Sequence, residues 1–181
     1  MKAITKQNAF FRFLIISTLL YLLLYFVYQF GVKRYTYYDQ KFIGTIIQGT
    51  EFVLKLFGYK IFTVLQDRDF QVVGIDGSNG VWVGSNCNAI TLFSLFTVFI
   101  LTYPGEQKNK IWFIPLGILS IHLLNIVRVI ALVLMANYQP KFLNFNHTYT
   151  FTFLMYSFIF MLWVIWVNKF SGRQSKEQHE G

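Results

Sequence analysis

Apolar residues in this chain run in long unbroken stretches. Phe13–Phe30, Asn88–Tyr103, Ile111–Asn137 and Thr148–Val167 are each apolar enough to be read as membrane-spanning helices. The second is short. The third, at 27 residues, is long enough to tilt, or to kink near Gly117. A fifth stretch, Phe42–Phe57, follows another pattern. Ile43, Ile46, Ile47, Val53, Leu54 and Phe57 recur at helical spacing, with Gln48, Glu51 and Lys55 opposite them. Glu51 and Lys55 form an i,i+4 pair, and Gly58 is a plausible stop. This pattern predicts an amphipathic helix that lies in the interface or packs on the bundle, not a span. Next come three β-type segments, Lys60–Leu65, Phe70–Ile75 and Val81–Val83, separated by the turn-forming sequences Gln66–Asp69 and Asp76–Gly80. They predict a small antiparallel hairpin resting on the membrane surface.

The expected fold is therefore an all-α integral membrane helical bundle. It has about four transmembrane helices, an interfacial amphipathic helix and a small extracytoplasmic β-hairpin. Residues 1–170 read as one polytopic membrane domain, with 31–86 as an extracytoplasmic insertion and 171–181 as a cytoplasmic polar tail.

Composition strengthens this picture. Of all residues 55% are hydrophobic and 20% aromatic, while only 13% are charged, too apolar a mixture for a soluble domain of this length. The net charge of +8 could suggest nucleic acid, but the basic residues flank the apolar runs instead of forming one stripe. They read as topology signals and lipid headgroup contacts, with no nucleic-acid partner. Lys2, Lys6 and Arg12 precede a first run of about 18 residues with no A-x-A-type site after it, which predicts an uncleaved signal-anchor helix.

Lysine and arginine placement sets the orientation. With a cytoplasmic N-terminus, four spans put Lys2, Lys6, Arg12, Lys108, Lys110, Lys169, Arg173 and Lys176 inside. A span at Phe42–Phe57 would break this parity. The outer face then holds Cys87 at the start of the second span and His147 before the fourth. Arg128 lies nine residues before Asn137, roughly 14 Å below the outer end of its helix, and its side chain can snorkel outward. The expected location is the cell inner membrane, with the site facing the periplasm.

Only now does chemistry enter. Cys87 is the single cysteine, so it has no internal disulfide partner and no C-x-x-C redox motif. If Ser85 or Asn86 caps the following helix, Cys87 falls in its first turn, where the helix dipole favours a thiolate. Equally, Cys is a small hydrophobe at a helix end. Arg128 sits within an apolar run, where a guanidinium costs about 2.5–3.5 kcal/mol to insert and so usually marks a functional site. It shares a helical face with His122 and Asn125. It could hold an oxyanion, a carboxylate or a phosphate, or simply tie helices together. His147 could act as base and acid, or be an interfacial His with no role. His122 reads as deeper and structural, and His179 as a tail residue without a role. No H-E-x-x-H, P-loop or G-x-S-x-G occurs, and the Cys and His spacing matches no metal site. No metal and no cofactor is expected.

A Cys at the outer start of one span, Asn125-x-x-Arg128 in the next and His147 at the outer start of the last resembles the exosortase/archaeosortase family, over roughly residues 80–165. The small size, Phe-rich helices and four-span core resemble the exosortase F type. The resemblance implies a membrane cysteine protease/transpeptidase with Cys87 as nucleophile, Arg128 as oxyanion-binding cation and His147 as proton carrier. Asn125 and Asn88 would be supporting or substrate-binding residues. One departure is that Asn88-Ala89 follows the Cys, where many exosortases have a small residue and Gly. Implied partners are exported proteins ending in a short motif, a transmembrane helix and a basic tail, with membrane lipids around them. Such an enzyme cleaves just before that helix and can pass the acyl group to an acceptor. Two other readings stay open: a non-enzymatic membrane scaffold or assembly subunit, and a small transporter lined by His122, Asn125 and Arg128.

Overall fold

In the computed structural model of the protein, the described residues are 2–32, 36–67, 70–84, 87 and 89–171. The first apolar run forms α1 (Lys2–Phe26), which continues through a wider π-type turn to Val32. The amphipathic segment forms α2 (Thr36–Leu56), which begins six residues before Phe42. Ile43, Ile46, Ile47, Thr50 and Leu54 make its buried face, at the spacing an amphipathic helix requires. Phe57, expected on that face, lies beyond the helix end and is 77% exposed. There Gly58 N–H donates to the Lys55 carbonyl and Tyr59 N–H to that of Leu54, closing the last turn. Lys55 and Glu51 pair at 3.1 Å on the exposed side. The face of α2 packs on the bundle: a Cβ at Gly49 would come within 2.8 Å of the Ile126 side chain.

The β-type segments form more than a hairpin. β1 (Ile61–Asp67), β2 (Phe70–Ile75) and β3 (Val81–Gly84) make a three-stranded antiparallel sheet in the order β1-β2-β3. Val73 pairs with Val81 and Gln71 with Val83. Val81 and Val83 are buried while Trp82 points out, the alternation a one-sided strand needs. That burial against the bundle draws the short third segment into the sheet.

α3 (Ile90–Thr102) is shorter than the expected span. Its 13 residues cover about 20 Å, against the roughly 30 Å of a hydrocarbon core. α4 (Gln107–Tyr138) runs on through Pro115. A 3₁₀ turn (Pro140–Phe142), the single turn α5 (Leu143–Phe145) and a π-type turn (Asn146–Thr150) lead into α6 (Phe151–Trp166), which ends in a second π-type turn at Ser171. Among the described residues, three helical stretches are long and apolar enough to cross a membrane: Phe10–Gly31, Gln107–Tyr138 and Pro140–Ser171. Of the expected tail, only Ser171 lies within the described residues.

The contacts bring alternate helix ends together. Phe13 of α1 packs on Phe99 and Tyr103 at the end of α3, and Trp112 and Phe113 at the start of α4 meet Phe170 beyond α6. Ser17 and Thr102 share a hydrogen bond of 2.8 Å between α1 and α3. At this end Lys110, only 5% exposed, donates from Nζ to the Leu101 carbonyl at 2.8 Å and satisfies an open carbonyl of α3. At the opposite end Tyr59 and Tyr138 share a hydrogen bond of 3.1 Å. Two buried clusters fill the interior. One joins α2, the sheet and the C-terminal half of α4, and contains Cys87. The other joins α3, the N-terminal half of α4 and α6. Phe, Leu and Ile remain exposed along α1, α4 and α6, a surface suited to lipid and not to water.

Candidate active site

Cys87 reaches its position by way of the sheet. β3 ends at Gly84, and the thiol three residues later is 6% exposed, packed in the cluster that holds Ile46, Val129 and Val133. The expectation that Cys87 lies in the first turn of a helix is corrected. α3 begins only at Ile90, after Ala89 with its left-handed φ of 59°. The chain turns sharply there, and the nucleophile candidate stands upstream of the helix. Ser85, Asn86 and the supporting residue Asn88 lie outside the described residues.

Asn125 replaces the helix as the anchor. Fully buried on α4, it donates from Nδ2 to the Cys87 carbonyl at 2.7 Å. A buried carbonyl left unpaired costs about 1–3 kcal/mol, so this bond fixes the irregular backbone at the thiol. The sequence marked Asn125 as part of a polar stripe and, by resemblance, as a supporting or substrate-binding residue, but not what it holds. Its partner is 38 residues away in the chain, which local spacing cannot report.

His147 supplies the second group. Its Nε2 lies 3.4 Å from Cys87 Sγ, within hydrogen-bond range for sulfur. His147 was expected at a helix start. Instead it sits inside one continuous helical stretch, in the π-type turn Asn146–Thr150. Such a turn accommodates one extra residue and re-aims the side chains around it, and π-turns within helices are frequent at functional sites.

Arg128 is the third. It follows Asn125 by three residues and so shares its helical face. Among the described residues no carboxylate pairs with the guanidinium, and its Nε is buried without a hydrogen-bond partner. The guanidinium stands one helical turn from Asn125, whose amide holds the Cys87 carbonyl. His122, the remaining member of the stripe, packs on the Phe42 ring at 5.4 Å, away from the thiol contact. Among the described residues no group of three or more His, Cys, Asp or Glu side chains could hold a metal ion.

A cleft of about 300 Å³ opens at His147. Gly80, just before β3, with Val81 and Trp82 of β3, lines it together with Pro140, Leu143, Asn144 and His147. Trp82 and Asn144 had no signal in the sequence that marked them, because the segments that carry them meet only in the folded chain.

The combination of a thiol, an imidazole in contact with it and an unneutralised guanidinium suits nucleophilic attack on a carbonyl. A family model described as transmembrane exosortase matches residues 6–167. No curated protein and no solved structure matches the chain.

Proposed function

Since the chain belongs to the transmembrane exosortase family, we propose that it is a membrane-embedded cysteine protease/transpeptidase. It cleaves the C-terminal sorting signals of exported proteins and passes the acyl group to an acceptor. The observation that carries this reading is the 3.4 Å contact between Cys87 Sγ and His147 Nε2.

In this mechanism His147 Nε2 takes the thiol proton, and the Cys87 thiolate attacks the scissile carbonyl. The carbonyl π electrons move onto oxygen, and the Arg128 guanidinium stabilises the resulting oxyanion. The oxyanion collapses, the C–N bond breaks, and His147 gives its proton to the leaving amine. A thioester remains on Cys87. His147 then takes a proton from the acceptor, whether water, amine or hydroxyl. The acceptor attacks the thioester through a second oxyanion, and the thiolate leaves and regains a proton from His147. Asn125 is a positioning residue that keeps Sγ in reach of both partners.

The substrate is an exported protein that ends in a short motif, an apolar helix and a basic tail. The membrane is the cell inner membrane, with the active site on the periplasmic side. The basic residues at the N-terminus, in the 104–110 loop and in the tail support this orientation. The test is co-expression with a reporter carrying such a C-terminal region from the same genome. Wild type should remove the tail, seen as a gel shift, and Cys87→Ala at equal membrane level should not. Identical reporter patterns for the two would replace the enzyme with a scaffold.

A further inference from the structure

The cleft at His147 is built from parts that do not span. One wall is the start of β3, and the other is the turn and short helical segment that follow α4. It shares His147 with the reacting pair, so a chain lying in it passes directly by Cys87 Sγ. In a substrate cut just before its transmembrane helix, the residues after the bond enter the membrane. Only the residues before the bond lie at the level of these walls.

Size and chemistry narrow the occupant further. About 300 Å³ is at the small end of ligand sites, and a helix some 10 Å across does not fit it. Trp82 is 57% exposed, with Val81 and Val83 on either side turned inward, so its ring forms a broad apolar wall. Pro140 and Leu143 face it across the cleft, and the exposed Asn144 adds one amide donor and one acceptor of the kind that reads a peptide backbone. Among the described residues no Asp, Glu, Lys or Arg lines the cleft.

We propose that this cleft is the acyl-side subsite, which holds in extended form the uncharged residues immediately before the scissile bond, with an apolar side chain against Trp82. The assignment rests on the processing reaction proposed above and adds where, and by what chemistry, the substrate is read.

The test separates binding from catalysis. The full-length membrane protein carrying Cys87→Ser and Asn144→Cys is co-expressed with reporters that each hold one cysteine, placed from eight residues before the processing site to four after it. The site itself is located by mass spectrometry of the wild-type product. Oxidation of the membranes should form a disulfide at positions before the bond, favouring every second residue as an extended chain does. Crosslinks only after the bond, or none at all, overturn the subsite. In the active enzyme, Trp82→Ala should lower processing about tenfold while Trp82→Phe keeps most of it. Asn144→Glu should switch preference at least tenfold toward reporters with Lys at the crosslinking position, a change that a purely structural role would not produce. Unaltered preference overturns the proposal. Processing that survives Cys87→Ala overturns the reaction and the subsite together, whereas Cys87-dependent processing without crosslinks removes the subsite alone.

Discussion

The two buried clusters differ in what fills them. The cluster around Cys87 is aliphatic: Ile43, Ile46, Val73, Val83, Leu132 and Val133 are fully or almost fully buried, and no aromatic ring is among its buried members. The other mixes aliphatic side chains with rings: Phe96, Phe113 and Trp166 are buried among Ile100, Ile121, Met155 and Ile159, and Phe99, Trp163 and Phe170 pack against them. Branched aliphatic side chains have few rotamers and interlock closely where a sheet and a helix meet. That rigidity surrounds Cys87, which lies upstream of α3 and is held against α4. Rings instead fill the wider, irregular gaps between helix ends. Phe99 stacks on Trp163 at 4.4 Å, and a Cβ at Gly117 would run into the Phe96 ring. The lesson is that one cluster sets geometry and the other sets cohesion. Changes in the first should show in activity, and changes in the second in stability.

The largest separation comes from Cys87→Ala. Removing the nucleophile should cut reporter processing by about 10³-fold or more, whereas the small cavity it leaves costs only on the order of 1 kcal/mol. A thermal melt in detergent beside the gel-shift assay reads both. Trp166→Ala should do the reverse. It empties a fully buried site and costs about 3–5 kcal/mol, seen as a lowered melting temperature, while processing per folded molecule holds near wild type. If Trp166→Ala lost activity in proportion to Cys87→Ala, the division between the clusters would fail. Asn125→Ala lies between these extremes. It frees the Cys87 carbonyl at about 1–3 kcal/mol, and processing should fall roughly 5- to 100-fold, with more effect on rate than on the amount of folded protein. The smallest effect is expected for Lys110→Met. The variant loses the bond to the Leu101 carbonyl but also a buried ammonium and its desolvation cost. The net change should be within about 1 kcal/mol in the melt, with no change in processing.

Much of the architecture was readable from periodicity. The apolar runs became helices, the face of Ile43, Ile46, Ile47 and Leu54 became the buried side of α2, and the three β-type segments became strands. Cys87 and His147, singled out by residue type and order, do meet, and Arg128 lies one helical turn from Asn125, which bonds the Cys87 carbonyl. Four features were not readable, each for a physical reason. Ala89 takes a left-handed φ that its own propensity disfavours, so tertiary packing and not local sequence places the start of α3. The π-type turn at His147 arises from the same kind of demand. The Asn125 bond and the Trp82–Asn144 cleft join segments far apart in the chain, whereas patterns of period two or 3.6 report only near neighbours.

The partner of the thiol lies 60 residues downstream of it, on the last long helical stretch, and that distance governs the order of synthesis. A chain emerging from the ribosome exposes its N-terminal parts first, so Cys87 is made before the imidazole that contacts it. A nascent or truncated molecule that stops short of Asn146 holds a thiol with no base beside it. The Cys–His contact thus comes into being only when the last long helical stretch is seated against the rest of the fold.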